Sequence, residues 1–409
     1  MEIKTHIDLR FLTPIRKEKP NWSDEGKEWD VYKIKISELH YNEENGRIAT
    51  WISTYTSEKD NPPLSSFSRE KYNDIIESFI KRANTAESFR NLMNDLRKKT
   101  QLNPGVILDD GTIVSGNRRF TALRNLYRET YDEKFEYFEC FVIPAPTTRS
   151  QVEFIKLIET KTQFGVVTEE DYNPIDRLVT IYKYLIDEET KIWSIKEYAK
   201  KIGIKESEAE NLFDRAWIME DYLEFIQKPM AFHIAREKKL DGPIADLAPL
   251  FKKLKTSQMA EWNRIKPLFY SEMSKGSGDR TREVRKFKKI YQNNPSGFNV
   301  LLADLYSKQS EVEEHEQYKK KMGLKTSEEE QITQIVTVDT TKVTKILNAT
   351  QKVAAREKQI KFAEKACEDL GNIETDVFSH MDVDEVKKLN RVLDAISSKI
   401  DALKRKLNK

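Results

Sequence analysis

Five consecutive residues of this chain have side chains and a spacing suited to holding an anion. The stretch Ser-Gly-Asn-Arg-Arg, residues 115–119, lies where a strand pattern gives way to a helix pattern. A helix start exposes backbone N–H groups that lack partners within the helix, and it carries the positive end of the helix dipole. Gly116 lets a ligand approach the backbone closely, while Arg118 and Arg119 add charged, fork-shaped donors. These groups suit nucleotide phosphates, and two solvated arginines on an ordinary helix are the alternative.

The elements that must position this turn are visible in the surrounding pattern. Val106–Leu108 and Thr112–Val114 are short apolar runs on either side of an Asp-Asp-Gly sequence, which is typical of a tight hairpin. An apolar stripe at helical spacing follows from Phe120 to Leu126. The pattern therefore predicts a strand, a turn at Gly116 and a helix that begins near Asn117.

Four segments of the chain, taken in order, resemble the ParB/sulfiredoxin superfamily. The central segment, DDGTIVSGNRRFTAL, is similar to the ParB box, in which a strand leads into a Gly-x-Arg-Arg stretch that opens a helix and grips nucleotide phosphates. The other three are ISELHYNEENGRI, TQLNPGVIL and IKLIETKTQFGVVTEEDYNPIDRL. The resemblance extends over residues 30–225 and implies an α+β N-terminal domain followed by a helical, DNA-binding region.

The resemblance also implies which residues contact the nucleotide. They are Arg47, Ser115, Gly116, Asn117, Arg118, Arg119 and Thr160. It further implies a catalytic or metal-orienting carboxylate at Glu159, with CTP or ATP as the nucleotide and Mg²⁺ as the metal. After Glu159 the chain has Thr-Lys-Thr-Gln where the family has Asn-x-Gln-Arg, so two family contacts are missing. Sulfiredoxin chemistry is disfavoured because no cysteine lies between Gly116 and Arg119.

Length and composition restrict the classes of protein to which the chain can belong. It has 409 residues, of which 38% are hydrophobic and 34% charged, enough for several domains with apolar cores. Two distant cysteines and five scattered histidines argue against a disulfide framework and against a metal site built on those residues. We expect a cytoplasmic protein, because the sequence contains no apolar run of membrane-spanning length and its N-terminus lacks the apolar core of a signal peptide.

Strand patterns are concentrated in the first third of the chain, and helical periodicity dominates the rest. We therefore predict an α+β, ParB/sulfiredoxin-like nucleotide-binding domain at residues 1–148, followed by predominantly α-helical middle and C-terminal regions. The predicted later parts are a helical domain with a helix-turn-helix at 149–228, a helical domain of unknown role at 229–325, a linker at 326–341 and a helical hairpin or coiled-coil dimerisation segment at 342–409.

The segment WSIKEYAKKIGIKESEAENLFDRAWIM has the spacing of a helix-turn-helix, with Gly203 in its turn. Its second helix is a poor electrostatic match for DNA. From Lys205 to Ala216 it carries two cations against four anions, so its surface opposes the phosphate charge. This unit is therefore either a DNA reader, as the resemblance implies, or a scaffold or protein-binding surface.

A stronger basic patch lies further along the chain. Residues 275–289 carry seven cations against two anions, and such a patch can follow a phosphate backbone without reading its sequence. A solvated charged face is the alternative. The predicted DNA-binding residues are Arg280, Arg282, Arg285, Lys286, Lys288 and Lys289.

The C-terminal segment shows the most regular apolar spacing in the chain. Seven residues step alternately by three and four, which is the a/d seam of a coiled coil over about three heptads. They are Val386, Leu389, Leu393, Ile396, Ile400, Leu403 and Leu407. The pattern predicts a homodimer through residues 386–407, and a helix packed on its own domain is the alternative.

Three functions follow from these features. The favoured one is binding of a nucleoside triphosphate at Ser115–Arg119, coupled to binding of DNA or of a partner. The second is a ParB-like nuclease, NTPase or phosphoryl-transfer enzyme in a DNA-defence or plasmid-maintenance system, with carboxylates from Asp109, Asp110 and Glu159 near the phosphates. The third is a non-enzymatic adaptor whose helical half binds a protein partner.

Overall fold

The computed structural model describes residues 6–23, 26–58, 60–99, 101–164, 173–275, 278–321 and 337–408. The chain divides into two compact units, Met1–Thr340 and Thr341–Lys409. Most of the predicted linker, residues 326–336, lies outside the described residues.

A mixed sheet forms the centre of the N-terminal region, with the strand order β1-β2-β6-β4-β5-β3. Strand β3 is parallel to β5 and β4 is parallel to β6, whereas the other neighbouring strands are antiparallel. The strands are β1 (Arg16–Glu18), β2 (Trp29–Lys35), β3 (His40–Tyr41), β4 (Gly105–Leu108), β5 (Thr112–Ser115) and β6 (Tyr137–Ile143).

Alternating side chains on the central strands supply two apolar cores, one on each face of the sheet. Ile107 and Ile113 point into the larger core, whose helical residues come from α1 to α4. Val106 and Val114 point into the smaller core, which α5 covers with residues such as Ile158. The helices are α1 (Ala49–Ser57), α2 (Arg69–Arg82), α3 (Ala86–Lys98), α4 (Asn117–Thr130) and α5 (Arg149–Phe164).

The rest of the first unit is helical wherever the structure describes it, so the prediction of an α+β domain followed by helices is confirmed. Local signals set several boundaries: Ser194 and Glu197 form a capping box at the start of α7, and Gly203 ends it in the left-handed conformation. The helices are α6 (Pro174–Leu185), α7 (Ile195–Ile202), α8 (Glu206–Phe225), α9 (Phe232–Glu237), α10 (Asp241–Leu254), α11 (Met259–Ser274), α12 (Arg280–Asn293) and α13 (Pro295–Lys321).

The second unit consists of two long helices, α14 (Thr340–Gly371) and α15 (Val383–Leu407). A capping box between Asp382 and Glu385 fixes the start of α15. No residue of α15 is buried in the structure, although the helix carries the predicted heptad seam. Among the described residues, no helix combines the length and apolar character that crossing a bilayer requires.

Candidate anion-binding site

The turn between β5 and α4 adopts the conformation that the sequence predicted. Gly116 has φ +99°, and α4 begins at Asn117. A Cβ atom at this glycine would lie 2.8 Å from the ring of Phe138 and 3.3 Å from the Cα atom of Gly105. Only glycine meets both constraints, so the chain turns tightly and presents the first N–H groups of α4 at the end of the strand.

Arg119 is the most unusual side chain of this turn. One guanidinium nitrogen, Nη1, is buried and has no hydrogen-bond partner among the described residues. The other, Nη2, lies 3.5 Å from the place where a Cβ atom of Gly116 would stand, at the mouth of α4. Burial lowers the pKa of Arg119 to about 10. The turn therefore holds a half-buried cation, and one of its terminal nitrogens is buried without an acceptor among the described residues.

Asn117 and Arg118 occupy the same first turn. Asn117 is only 7% exposed, and its Oδ1 atom has no hydrogen-bond partner among the residues that the structure covers. Arg118 donates from Nη2 to the hydroxyl of Ser88, in the first turn of α3. At the C-terminal ends of the same two helices, Arg97 of α3 contacts Glu129 of α4 at 2.6 Å. Helices α3 and α4 are therefore parallel, and their two positive ends lie side by side next to Arg118.

Arg47 leaves the sheet at the same edge as this turn, because β3 and β5 are parallel neighbours. The side chain of Asn45 accepts from the backbone N–H of Arg47 at 3.1 Å and holds the short turn that leads into α1. Burial raises the pKa of Asp176 to about 6, against the opposing effects of Thr50 and of nearby cations that include Arg47. Arg47 therefore lies between the sheet edge and the start of α6.

Glu159 and Thr160 lie on α5 and have partners within the protein. Glu159 is 2% exposed and accepts from the hydroxyl of Tyr184 at 3.3 Å and from Nζ of Lys156 at 3.5 Å. Burial lowers the pKa of Lys156, but Glu159 and Glu44 raise it more, so the lysine stays charged. The hydroxyl of Thr160 donates to the carbonyl of Lys156. These contacts give both residues a structural role, and their predicted catalytic and nucleotide-binding roles stay predictions.

Two cavities lie beside the sheet. One of about 650 Å³ lies against β5 and α5, and a smaller one of about 390 Å³ lies beside α6. Lys156 and Glu44 line both, and Val114 lines the larger one, but the residues of the 115–119 turn line neither. In the described part of the chain, no group of three or more His, Cys, Asp or Glu residues is arranged to hold a metal ion.

The structure gives most of the predicted DNA-binding residues intramolecular partners. Arg280 donates to the backbone carbonyls of Lys275 and Lys238, and three other cations of α12 pair with acids or carbonyls. Those three contacts are Arg285 with Asp246 at 2.7 Å, Lys286 with Glu283 at 2.6 Å and Lys288 with the carbonyl of Asp246 at 2.6 Å. Arg282, Arg285 and Lys289 are exposed, so the accessible part of the predicted patch is half its size.

The acids of α8 also have partners that the sequence did not reveal. Glu210 pairs with Lys252 at 2.7 Å, and Asp214 pairs with Lys255 at 2.6 Å. Lys252 belongs to α10 and Lys255 directly follows it, so part of the negative charge of α8 holds two helices together. The exposed acids Glu206 and Glu208 remain at its first turn, where the helix dipole favours them.

One buried polar cluster was not predicted at all. The carboxylate of Asp176, in the first turn of α6, accepts the backbone N–H of Thr50 at 3.1 Å. Arg236 of α9 donates to the Thr50 hydroxyl at 2.7 Å, contacts Asp176 at 3.5 Å and lies over the ring of Trp51 at 4.3 Å. This cluster joins the start of α1 to α6 and α9. Its members are far apart in sequence, and no local pattern marks them.

No family model and no curated protein matches the chain. Similar solved structures include the C-terminally truncated chromosome-partitioning protein ParB from Caulobacter crescentus complexed to the centromeric parS site, at 14% identity over 62% of this chain and 98% of that one, with a TM-score of 0.29. A Pnob8-like ParB-N domain matches at 14% identity over 67% and 96%, with a TM-score of 0.38. ParB from Caulobacter crescentus complexed with CTP-gamma-S matches at 12% identity over 54% and 98%, with a TM-score of 0.20.

All three TM-scores are below 0.5. Individual residues are therefore judged by their own contacts.

Proposed function

We propose that this chain is a ParB-like nucleotide-binding protein. The turn at residues 115–119 binds the phosphates of a nucleoside triphosphate, CTP or ATP, and this binding is coupled to binding of DNA or of a protein partner. The single observation that carries the proposal is the guanidinium of the half-buried Arg119, whose Nη1 atom is itself buried and lacks an acceptor among the described residues.

A charge held away from water is unfavourable unless an opposite charge and hydrogen bonds compensate it. At Arg119 the cause of the lowered pKa is burial. The surroundings strengthen the demand for an anion, because the positive ends of α3 and α4 lie side by side and Arg118 is placed there as well. A phosphate group supplies the missing charge and can accept from several of these donors together.

Coupling to the helical region is supported by the polar cluster around Asp176. Residues 45–48 follow β3 at the edge of the proposed site and lead directly into α1. The first turn of α1 is held by Asp176 of α6 and Arg236 of α9. A ligand that shifts Arg47 would therefore alter the contacts between the sheet domain and these helices.

The remaining parts of the proposal concern macromolecular partners. The exposed cations Arg282, Arg285 and Lys289 provide a surface for a phosphate backbone. The exposed heptad seam of α15 provides a surface for a second copy of the chain. Two linked copies would raise the effective concentration of their nucleotide-binding domains for each other.

Isothermal titration with CTP, ATP, GTP and inorganic tripolyphosphate tests the nucleotide site. We expect saturable binding of at least one nucleotide and of tripolyphosphate to the full chain. Arg119→Met should weaken that binding at least tenfold, because it removes the charge and keeps a side chain of similar length. The matched control is Arg128→Met on the same helix, whose guanidinium already contacts Asp74 and Glu77.

Two outcomes would contradict the site. One is the absence of binding by any of the four ligands, and the other is equal binding by the Arg119 and Arg128 variants. Coupling is tested separately by measuring DNA affinity with and without a saturating nucleotide that has been shown to bind. An unchanged DNA affinity would remove the coupling and leave the nucleotide site intact.

A further inference from the structure

The charges along the exposed seam of α15 differ in sign between its two ends. Its first turn contains Asp384 and Glu385, and its last turn contains Lys404, Arg405 and Lys406. Such a distribution also complements the dipole of a single helix. Two of these charges, Glu385 and Lys406, occupy the same heptad position, which bears directly on how two copies pair.

The heptad register follows from the apolar residues. Val386, Leu393, Ile400 and Leu407 take the a positions, whereas Leu389, Ile396 and Leu403 take the d positions. β-Branched valine or isoleucine and γ-branched leucine occur at both positions, so the seam itself favours no particular helix orientation. The charged positions beside the seam must therefore set the orientation.

In a parallel pair, each g residue faces the e residue five positions later on the partner helix. Glu385 then faces an uncharged Asn390, and Lys399 faces Lys404. Because the pair is symmetric, the lysine repulsion occurs twice. A parallel arrangement thus gains no charge pair and also brings the two acidic helix starts together.

In an antiparallel pair, g residues face g residues and the apolar layers combine a with d. With Val386 opposite Leu403 of the second copy, the next layers place Leu389 opposite Ile400 and Leu393 opposite Ile396, so the six layers from Val386 to Leu403 are apolar and Leu407 lies beyond them. This register brings Glu385 beside Lys406 of the second copy, again twice by symmetry. It places no two lysines opposite each other at the g and e positions, and it lets the helix dipoles oppose.

The solvent exposure of the seam shows that it is available for such a partner. Val386 is 40% exposed, Ile400 41% and Leu403 61%. A contiguous apolar stripe this exposed on one helix is characteristic of an interaction surface. The capping box at Asp382 and Glu385 fixes where the helix begins, and it therefore places Glu385 in the first turn.

From this pattern we infer that α15 binds α15 of a second copy in antiparallel orientation, with Glu385 of each chain beside Lys406 of the other. The inference rests on the proposed self-association and adds its geometry. A helix of this length spans about 37 Å, so the two copies of α14 would enter the coiled coil from opposite ends.

Disulfide trapping tests the orientation. The background variant is Cys367→Ser, because Cys367 is the exposed cysteine and Cys140 is buried. Val386→Cys alone should give no cross-linked dimer on oxidation, because the two introduced thiols lie at opposite ends. A mixture of Val386→Cys and Leu403→Cys chains should give the mixed dimer, identified by mass. Ser398→Cys, at the outward-facing f position, is the control and should give neither.

Charge exchange provides a second, independent test. Glu385→Lys and Lys406→Glu should each weaken self-association about tenfold, since each turns two attractive contacts into repulsive ones. The double variant should recover most of the affinity that Glu385→Lys loses, and the lost capping box at Asp382 should account for the remainder. Unchanged or additive effects would overturn the antiparallel register.

The outcomes separate the two levels of the proposal. If light scattering finds only monomer at all concentrations, both the proposed self-association and its proposed orientation are wrong. If a dimer cross-links through Val386→Cys alone, the proposed self-association is supported and the proposed antiparallel arrangement is wrong.

Discussion

In the absence of a ligand, Arg119 should make the folded protein less stable than a neutral residue of the same size would. Its side chain is half-buried, and its buried Nη1 atom lacks an acceptor among the described residues. Replacing a poorly compensated buried charge with an apolar side chain is often neutral or stabilising. We expect Arg119→Met to raise the free energy of unfolding by about 1 kcal/mol in the absence of nucleotide. Urea unfolding monitored by circular dichroism measures this.

The control for that stability change is Arg128→Met on the same helix. It removes contacts with Asp74 and Glu77 and should destabilise the protein or leave it unchanged. The same excess of tripolyphosphate should then stabilise the wild type and the Arg128 variant more than the Arg119 variant, by about 1.4 kcal/mol for a tenfold loss of affinity. A clear loss of stability in Arg119→Met would mean that the side chain has internal partners and does not await an anion.

The burial of Glu220 leads to a prediction about how the stability of the protein depends on pH. Burial raises its pKa to about 7, opposed by the backbone N–H of Met230, which donates to Oε1 at 3.0 Å. The folded state therefore keeps a proton that the unfolded chain releases, and stability falls as the pH rises from 4.5 to 7. Glu220→Gln should remove this decline and be more stable than the wild type at pH 8 by on the order of 2 kcal/mol.

The pH dependence is checked by urea unfolding at pH 4.5, 6 and 8. The two proteins should be closest at pH 4.5, where the wild-type carboxyl is protonated in the fold. Glu206→Gln provides the same charge change at an exposed site of α8. A stability difference between Glu220→Gln and the wild type that stays constant with pH would rule out the proton as its cause.

At the scale of elements, the tight entry into α4 depends on Gly116 for two separate reasons. Its left-handed φ disfavours any side chain, and a Cβ atom would lie 2.8 Å from the ring of Phe138. Gly203 shares the first reason only, because its φ is +79° and no atom lies within 4 Å of its Cβ position. We expect Gly116→Ala to destabilise the chain by about 3 kcal/mol and Gly203→Ala by about 1 kcal/mol.

Thermal and urea unfolding of both glycine variants separate the backbone strain from the steric clash. The difference between the two free-energy changes measures the clash with Phe138. Nucleotide affinity should fall in the Gly116 variant and not in the Gly203 variant. Equal destabilisation would show that the ring of Phe138 moves aside and that the turn is less constrained than its geometry implies.

The sequence predicted elements well because their signals are local. The hairpin, the glycine turn and the start of α4 all follow from residues within a few positions of each other, and the structure confirms them. Packing between distant segments was not predictable in the same way. Asp246 on α10 pairs with Arg285 of α12, and Arg236 reaches Thr50 across 186 positions of sequence. No spacing rule on either segment indicates such contacts.

The candidate site shows the same division. Arg118 and Arg119 were predicted together from their position in the first turn, yet they have different surroundings. Arg118 reaches Ser88 on a helix that precedes the turn in sequence, whereas Arg119 lies at the start of α4 with its Nη1 atom buried. The packing of α3 against α4 gives the two arginines these different surroundings. That packing depends on tertiary contacts such as the one between Arg97 and Glu129.

At the scale of the whole molecule, the net charge of +2 means that any DNA binding depends on a local surface. The exposed cations of α12 are Arg282, Arg285 and Lys289. If these three contact phosphates, the logarithm of the binding constant should fall with the logarithm of salt concentration at a slope of about −2.7. A larger slope would indicate that other surfaces contribute.

Changing two of these residues tests the surface directly. Arg282→Ala with Lys289→Ala should lower DNA affinity at low salt and reduce the magnitude of the slope by about 2, because two phosphate contacts are lost. Lys387→Ala with Lys388→Ala removes the same charge from exposed positions of α15 and should leave the slope unchanged. If both pairs alter the slope equally, the binding reflects overall charge. If neither does, DNA does not contact α12 at these two residues. Fluorescence anisotropy with a duplex at several salt concentrations distinguishes these outcomes.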